Sequence, residues 1–249
     1  MTQSVVITGG SRGIGLALTE RFLTAGYTVV VGARSCQGLE QLDSKRVHFH
    51  AMDVRDETAH IALAKKALGL TGQLNTWINN AGISAWKPIE EINDEFFDEL
   101  MNINLKGAFW GCKAAANHMS NHGGSIINIS SIAGKRGSSK NSMYCATKFG
   151  MNGLSQSLAK ELGPRGIRVN ALCPVLIKTD GLMDALMSVH SPAHGDPSTF
   201  LENFKEANSA TGLLPTGQDV GDMAVYLASS HGHAITGQCI NIDCGVYPQ

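Results

Sequence analysis

The stretch Ser4-Val5-Val6-Ile7-Thr8-Gly9-Gly10-Ser11-Arg12-Gly13-Ile14-Gly15 decides the fold. Its first half is a β-branched run, apolar on consecutive residues instead of alternate ones, as expected of a strand buried on both faces of a parallel sheet. Its second half is a glycine-rich turn, and the residues that follow, Leu16-Ala17-Leu18-Thr19-Glu20-Arg21-Phe22-Leu23, have a helical pattern. Strand, glycine turn and helix in that order bring free backbone N–H groups and the positive end of a helix to one point, which suits a pyrophosphate. The spacing Gly9, Gly13, Gly15 is not the plain G-x-G-x-x-G, and the absence of a lysine after the last glycine excludes a P-loop. Turns of this kind also serve tight packing alone.

Outward from this stretch, short apolar runs alternate with longer amphipathic ones, the signature of a parallel sheet covered by helices on both faces. Strands are expected at 4–8, 28–32, 47–51, 76–79, 125–129, 168–172 and 239–242, and a long helix over 94–119. Seven strands make one sheet. No repeat, low-complexity tract or Pro/Ser-rich linker divides the chain, so residues 1–249 read as a single domain of doubly wound α/β type.

With 249 residues, 43% of them hydrophobic and 16% charged, the chain has the make-up of a folded protein, not a disordered one. A net charge of −1 and the lack of any lysine or arginine block speak against nucleic acid or an acidic membrane as partner. Met1-Thr2-Gln3-Ser4 leads into the first strand without a signal peptide, and no window approaches the roughly 18 apolar residues of a membrane span. Six scattered cysteines, without a C-x-x-C pair or zinc spacing, are the pattern of reduced thiols in the cytoplasm. His190 and His194 have metal-compatible spacing, but Pro192 between them argues against a regular helix, and no metal is expected.

The tip of the second strand distinguishes the dinucleotide. An acid there takes the ribose hydroxyls of NAD, whereas an arginine accommodates the extra phosphate of NADP. Here Val31-Gly32-Ala33-Arg34 ends in arginine, and Arg12 in the glycine turn faces it as a second cation. After strand three, Asp53-Val54 offers an acid that either accepts from the adenine amino group or caps the next helix. After strand four, Asn79-Asn80-Ala81-Gly82 is small and polar where a loop lies near a ligand, or else satisfies neighbouring backbone groups. Trp86, a few residues on, is placed to touch substrate.

Tyr144 and Lys148 stand four residues apart in a helical window and so lie on one helix face. A tyrosine keeps its proton to a pKa of about 10 unless a positive charge favours the phenolate, and Lys148 is placed to supply one. Ser131, at the end of the apolar run from Ser125, can hold the same substrate oxygen that the tyrosine protonates.

Together, Thr8–Gly15, Asn79 to Gly82, Asn104, Ser131 and Tyr144 to Lys148 resemble the short-chain dehydrogenase/reductase family over nearly the whole chain, in its 3-oxoacyl thioester reductase-like branch. The resemblance implies a Rossmann-type sheet, an NADP(H) cofactor and a carbonyl or secondary alcohol substrate. It makes Tyr144 the general acid or base, and Ser131, chosen over Ser130 by its spacing to the tyrosine, the group that orients the reacting oxygen. Lys148 would bind the nicotinamide ribose and lower the tyrosine pKa, and Asn104 would hold a proton-relay water. Gly9, Ser11, Arg12, Gly13, Ile14, Gly15, Arg34, Asp53, Val54, Asn80, Ala81, Gly82, Pro174, Ile177 and Thr179 would line the cofactor. Val175 and Cys244 stand where the family usually has glycine.

Residues 180–212 correspond to the family's variable substrate lid. Its apolar stripes, Leu182, Met183, Leu186 and Met187, then Phe200, Leu201 and Phe204, imply a pocket of apolar character. A sugar or polyol dehydrogenase and a non-catalytic dinucleotide sensor are the competing functions. Small residues, Gly107, Ala108, Gly111 and Ala114 on one long helix and Ala146, Gly150 and Gly153 on another, suit close packing against a second copy or against the sheet, and the resemblance implies a homodimer or homotetramer.

Overall fold

All seven expected strands form in the computed structural model, which describes residues 3–42, 45–119 and 123–248. Met1 and Thr2, used above for the signal-peptide expectation, lie outside these. The strands are β1 (Ser4–Thr8), β2 (Thr28–Ala33), β3 (Val47–Ala51), β4 (Thr76–Asn79), β5 (Gly124–Ile129), β6 (Ile167–Pro174) and β7 (Cys239–Ile242). The helices are α1 (Gly13–Thr24), α2 (Glu57–Thr71), α3 (Asp94–Leu100), α4 (Gly107–His118), α5 (Ser142–Leu162), α6 (Asp180–Leu186), α7 (Pro197–Asn208) and α8 (Gly217–Ala228).

The strands are parallel, in the order β3-β2-β1-β4-β5-β6-β7. The sheet winds outward in two directions from β1, so a crevice opens at the carboxyl ends of β1 and β4, where Thr8 pairs with Asn79. Successive residues of β1 serve opposite layers. Val5 and Ile7 pack with Leu18 and Phe22 of α1 and with Val220 and Leu227 of α8. Val6 packs on the other side with Leu63 and Ala67 of α2, Cys112 of α4 and Leu162 of α5. Full burial of such a side chain contributes roughly 1.5–3 kcal/mol, which is why an uninterrupted apolar run is needed here.

The helix expected over 94–119 is continuous but not uniform. Between α3 and α4 the segment Met101–Lys106 is a π-helical turn, and Asn104 lies within it. Such turns concentrate at functional sites because they re-aim side chains inside a helix. Of the small residues, Gly107, Ala108, Gly111 and Ala114 all point inward. A Cβ at Gly111 would lie 1.9 Å from Asn79 Oδ1, so this glycine serves sheet packing, not association.

The lid, α6 and α7, builds a small core of its own from Leu186, Ala193, Leu201 and Trp86. Met187 departs from the expected stripe and is exposed. At the C-terminal end, Cys244 adopts φ 54°, the left-handed region, while its carbonyl accepts from Ala210 N at 3.1 Å. An L side chain there costs roughly 1–2 kcal/mol. Cys244→Gly is therefore expected to stabilise the protein by about 1 kcal/mol after the added freedom of the unfolded glycine is offset, a shift read from urea denaturation midpoints.

Candidate active site

The glycine turn closes on itself. Gly9 has φ 67°, and a Cβ on Gly15 would sit 2.0 Å from the Gly9 carbonyl oxygen, so only glycine permits this approach. Asn80 holds the turn from β4: its Nδ2 donates to the carbonyls of Thr8 (3.0 Å) and Gly9 (3.1 Å). The Thr8 hydroxyl in turn accepts from the backbone N–H groups of Asn80 (3.1 Å) and Ala81 (3.2 Å). Asn80 thus satisfies backbone groups and frames the crevice, and Thr8, not singled out in the sequence, is its counterpart.

Arg12 and Arg34 are both exposed and make no hydrogen bond or ion pair among the described residues. Arg12 precedes α1 and Arg34 follows β2, so the two cations flank the crevice with free guanidinium groups. Ser11 is buried, and Ile14 is half-buried beside it. Thr179 lies over the turn, since a Cβ on Gly13 would meet its Cγ2 at 3.3 Å, and the Thr179 hydroxyl also caps α6 by accepting from Leu182 N. Pro174, the last residue of β6, and Ile177, between β6 and α6, are buried. The cradle of Gly9, Gly13 and Gly15, with cations beside it, fits a dinucleotide pyrophosphate.

Asp53 does not cap α2; that is done by Asp56, which accepts from Thr58 N at 2.8 Å. The Asp53 carboxylate instead binds Arg55 through Nε and Nη2, at 3.0 and 2.6 Å. This hydrogen-bonded pairing holds its pKa below the usual carboxylate range. The Val54 carbonyl accepts from His60 Nε2.

At the far wall, β5 delivers Ser131 and α5 delivers Tyr144 and Lys148. Ser130 is turned inward and donates to the Lys148 carbonyl at 3.3 Å, while Ser131 lies close enough to the Tyr144 side chain to act on its pKa. Ser131 Oγ also accepts from Ala133 N, fixing the turn Ile132–Gly134. Lys148, 4% exposed, donates from Nζ to the Ile129 carbonyl at 2.8 Å and lies 5.6 Å from the Tyr144 ring centre.

Burial pushes Lys148 down to about 8. It pushes Tyr144 up to about 12, against the lowering effect of Ser131, although part of the ring remains accessible. The acidification of the phenol by Lys148, expected from sequence, is not seen in this state: the ammonium sits over the ring and bonds Ile129.

Asn104 is fully buried, accepts from Ile83 N at 2.8 Å and donates to Ile83 O at 2.9 Å. Its Nδ2 also approaches the Thr147 hydroxyl at 3.4 Å, which leaves only a lone pair of Oδ1 for a water. Gly82 sits against it, and a Cβ there would lie 3.2 Å from Asn104 Oδ1. A buried chain that sequence reading missed runs behind this wall. Asn79 Nδ2 donates to Asn128 Oδ1, and Asn128 Nδ2 to Ser155 Oγ, both at 2.8 Å. The signal was an asparagine within Ile126-Ile127-Asn128-Ile129.

Trp86 belongs to the lid core, and the half-buried His190 pairs through Nε2 with Glu91 Oε2 at 3.2 Å. Among the described residues no three His, Cys, Asp or Glu side chains cluster as a metal site, and no helix is long and apolar enough to cross a membrane.

The family model described as short chain dehydrogenase matches residues 3–187. The chain is 32% identical to L-2,3-butanediol dehydrogenase of Corynebacterium glutamicum, over 99% of each chain. It is 31% identical to diacetyl reductase [(S)-acetoin forming] of Staphylococcus aureus, over 97% of this chain and 96% of that one. Among solved structures, ElxO with NADP bound superposes with a TM-score of 0.87 at 31% identity and 99% coverage of each chain. Neither named enzyme is a 3-oxoacyl thioester reductase, and the expected branch is not specifically supported. A serine, tyrosine and lysine gathered at the carboxyl end of the sheet, with a glycine cradle in the same crevice, therefore come with relatives of the same length and build: the chain belongs to the short-chain dehydrogenase family and is an oxidoreductase.

Proposed function

We propose that this enzyme transfers hydride between NADP(H) and a small ketone or secondary alcohol that carries a second oxygen on the neighbouring carbon, working as a reductase. The convergence of Ser131, Tyr144 and Lys148 in the same crevice as the glycine cradle carries this reading. Butane-2,3-diol and diacetyl, named for the two relatives, each bear oxygens on adjacent carbons. NADP(H) is favoured by the free Arg12 and Arg34 and by the NADP held in the structural relative.

When bound, the nicotinamide supplies the hydride. Tyr144, protonated throughout the neutral range, gives its proton to the substrate oxygen as that oxygen gains charge. Ser131 stabilises the same oxygen by hydrogen bonding. The Lys148 ammonium, beneath the ring, favours the phenolate left behind. Asn104 positions the loop at Ile83.

A cytoplasmic setting is inferred from the six cysteines, all free. Self-association as a dimer or tetramer is assigned to the α4–α5 face, where Phe109 and Phe149 are 43% and 47% exposed and Gly153 has open space above it. Phe149→Glu is expected to sediment as a smaller species than wild type.

Tyr144→Phe is expected to lose about 10²–10⁴-fold in turnover while still binding NADPH; undiminished turnover sinks the acid role. Lys148 is charged below about 8 and neutral above it. The kcat/KM for reduction should therefore be level near neutrality and fall as pH rises through that value. Replacing Arg12 and Arg34 by serine should weaken NADPH binding by roughly 10²–10⁴-fold, because charge-assisted hydrogen bonds contribute about 1.5–3 kcal/mol each, and leave NADH affinity unchanged, as measured by titration calorimetry.

A further inference from the structure

Two thiols beside the site take no part in this chemistry. Cys173 lies on β6 and Cys239 on the edge strand β7, where the register pairs Ala171 with Cys239 and Cys173 with Asn241. Residues two apart on a strand share a face, so the two thiols are diagonal neighbours on one side of the sheet. Both lie beneath α5. Cys173 Sγ donates to Asn152 Oδ1 at 3.8 Å, and one helical turn further on Gln156 Nε2 donates to Cys239 Sγ at 3.9 Å.

The two thiols influence one another, and the charge of Lys135 acts on both. Their environments differ. Cys173 is wholly buried and its pKa is raised, first by the neighbouring Cys239 and then by burial. Cys239 is partly exposed, and the neighbouring Cys173, helped by Lys135, brings it down to about 7. The outer sulfur is thus the nucleophile and the inner one its partner. Cys112, by contrast, is buried and pushed up to about 12.

We propose that Cys239 and Cys173 form a peroxide-sensitive pair that switches the enzyme off. The Cys239 thiolate attacks hydrogen peroxide; its S–O bond forms as the O–O bond breaks, and hydroxide leaves and is protonated to water. The Cys173 thiol then attacks the Cys239 sulfenic acid. The S–S bond forms, the S–O bond breaks, and the departing hydroxyl carries the Cys173 proton away as a second water. The two sulfurs lose two electrons and peroxide gains them.

The coupling to catalysis is local. Cys173 lies close to both Tyr144 and Lys148. The next residue, Pro174, accepts from Ser131 Oγ at 3.5 Å. Diagonal neighbours stand about 7–8 Å apart at Cα, somewhat beyond the roughly 4.4–6.8 Å that a disulfide spans, so closure draws the strands along one another. The edge strand β7, four residues long and paired on one side only, is the one free to give. Displacement of a catalytic group by about 1 Å can cost on the order of 10² in rate.

The experiment treats the reduced, full-length enzyme with hydrogen peroxide, follows NADPH oxidation, adds dithiothreitol, and maps disulfide-linked peptides by mass spectrometry. Turnover should fall by on the order of 10²-fold and return with the reductant. The Cys173 and Cys239 peptides should be joined, and Cys239→Ser should start with wild-type turnover and keep it in peroxide. Equal inactivation of wild type and Cys239→Ser overturns the proposal. So does an oxidised wild type in which those two peptides are not joined, a result read without any variant and independent of the substrate reading.

Discussion

Lys148 buries its ammonium against the main-chain carbonyl of Ile129, 2.8 Å away, and so draws α5 onto the carboxyl end of β5. Three more bonds continue this seam: Ser130 Oγ to Lys148 O, Asn152 Nδ2 to Gly134 O, and Asn128 Nδ2 to Ser155 Oγ. Gly134 must lack a side chain for the seam to close, since a Cβ there would lie 2.7 Å from the Lys148 carbonyl oxygen. Taking an ammonium out of water costs several kcal/mol, and its lowered pKa is the visible sign of that cost. The same burial raises Tyr144. One cause thus leaves a protonated phenol above a lysine that still carries charge at neutral pH, the pairing that a proton donor to a developing alkoxide needs.

The opposite wall is set by asparagines that spend their hydrogen bonds on backbone. Asn80 ties the loop after β4 to the glycine turn, and Asn104, presented by the π-helical turn, ties the same loop to the helix at Ile83. Between them the loop after β4 is fixed both to the glycine turn and to the helix. Low dielectric makes such bonds strong when complete and costly when broken, so these positions tolerate little change.

The layers of this fold were legible because the central strands, β1 and β2 above all, are continuous apolar runs bounded by turn residues, and burial on both faces demands that pattern. The positions of Ser131, Tyr144 and Lys148 could be read from spacing, and the structure brings them together. Other features depend on contacts that no local pattern encodes. Asp53 pairs with Arg55 and leaves the helix cap to Asp56, a choice between acids three residues apart. The small residues of α4 suited a second copy or the sheet alike; Gly111 faces Trp77 and Asn79 because the sheet approaches that helix closely. The bond from Asn79 to Asn128 links residues far apart in sequence. The left-handed backbone of Cys244 likewise shows only in the structure.

The most direct test follows the hydride itself. NADPH carrying deuterium at the transferable position of nicotinamide C4 is incubated with acetoin or diacetyl and the enzyme, and the product alcohol is examined by mass spectrometry and NMR. Deuterium on the former carbonyl carbon, with loss of nicotinamide absorbance in equal measure, is the result expected of hydride transfer at Ser131, Tyr144 and Lys148. NADPH bound without oxidation by these and a wider set of vicinal ketones, or product formed with no deuterium at that carbon, contradicts it.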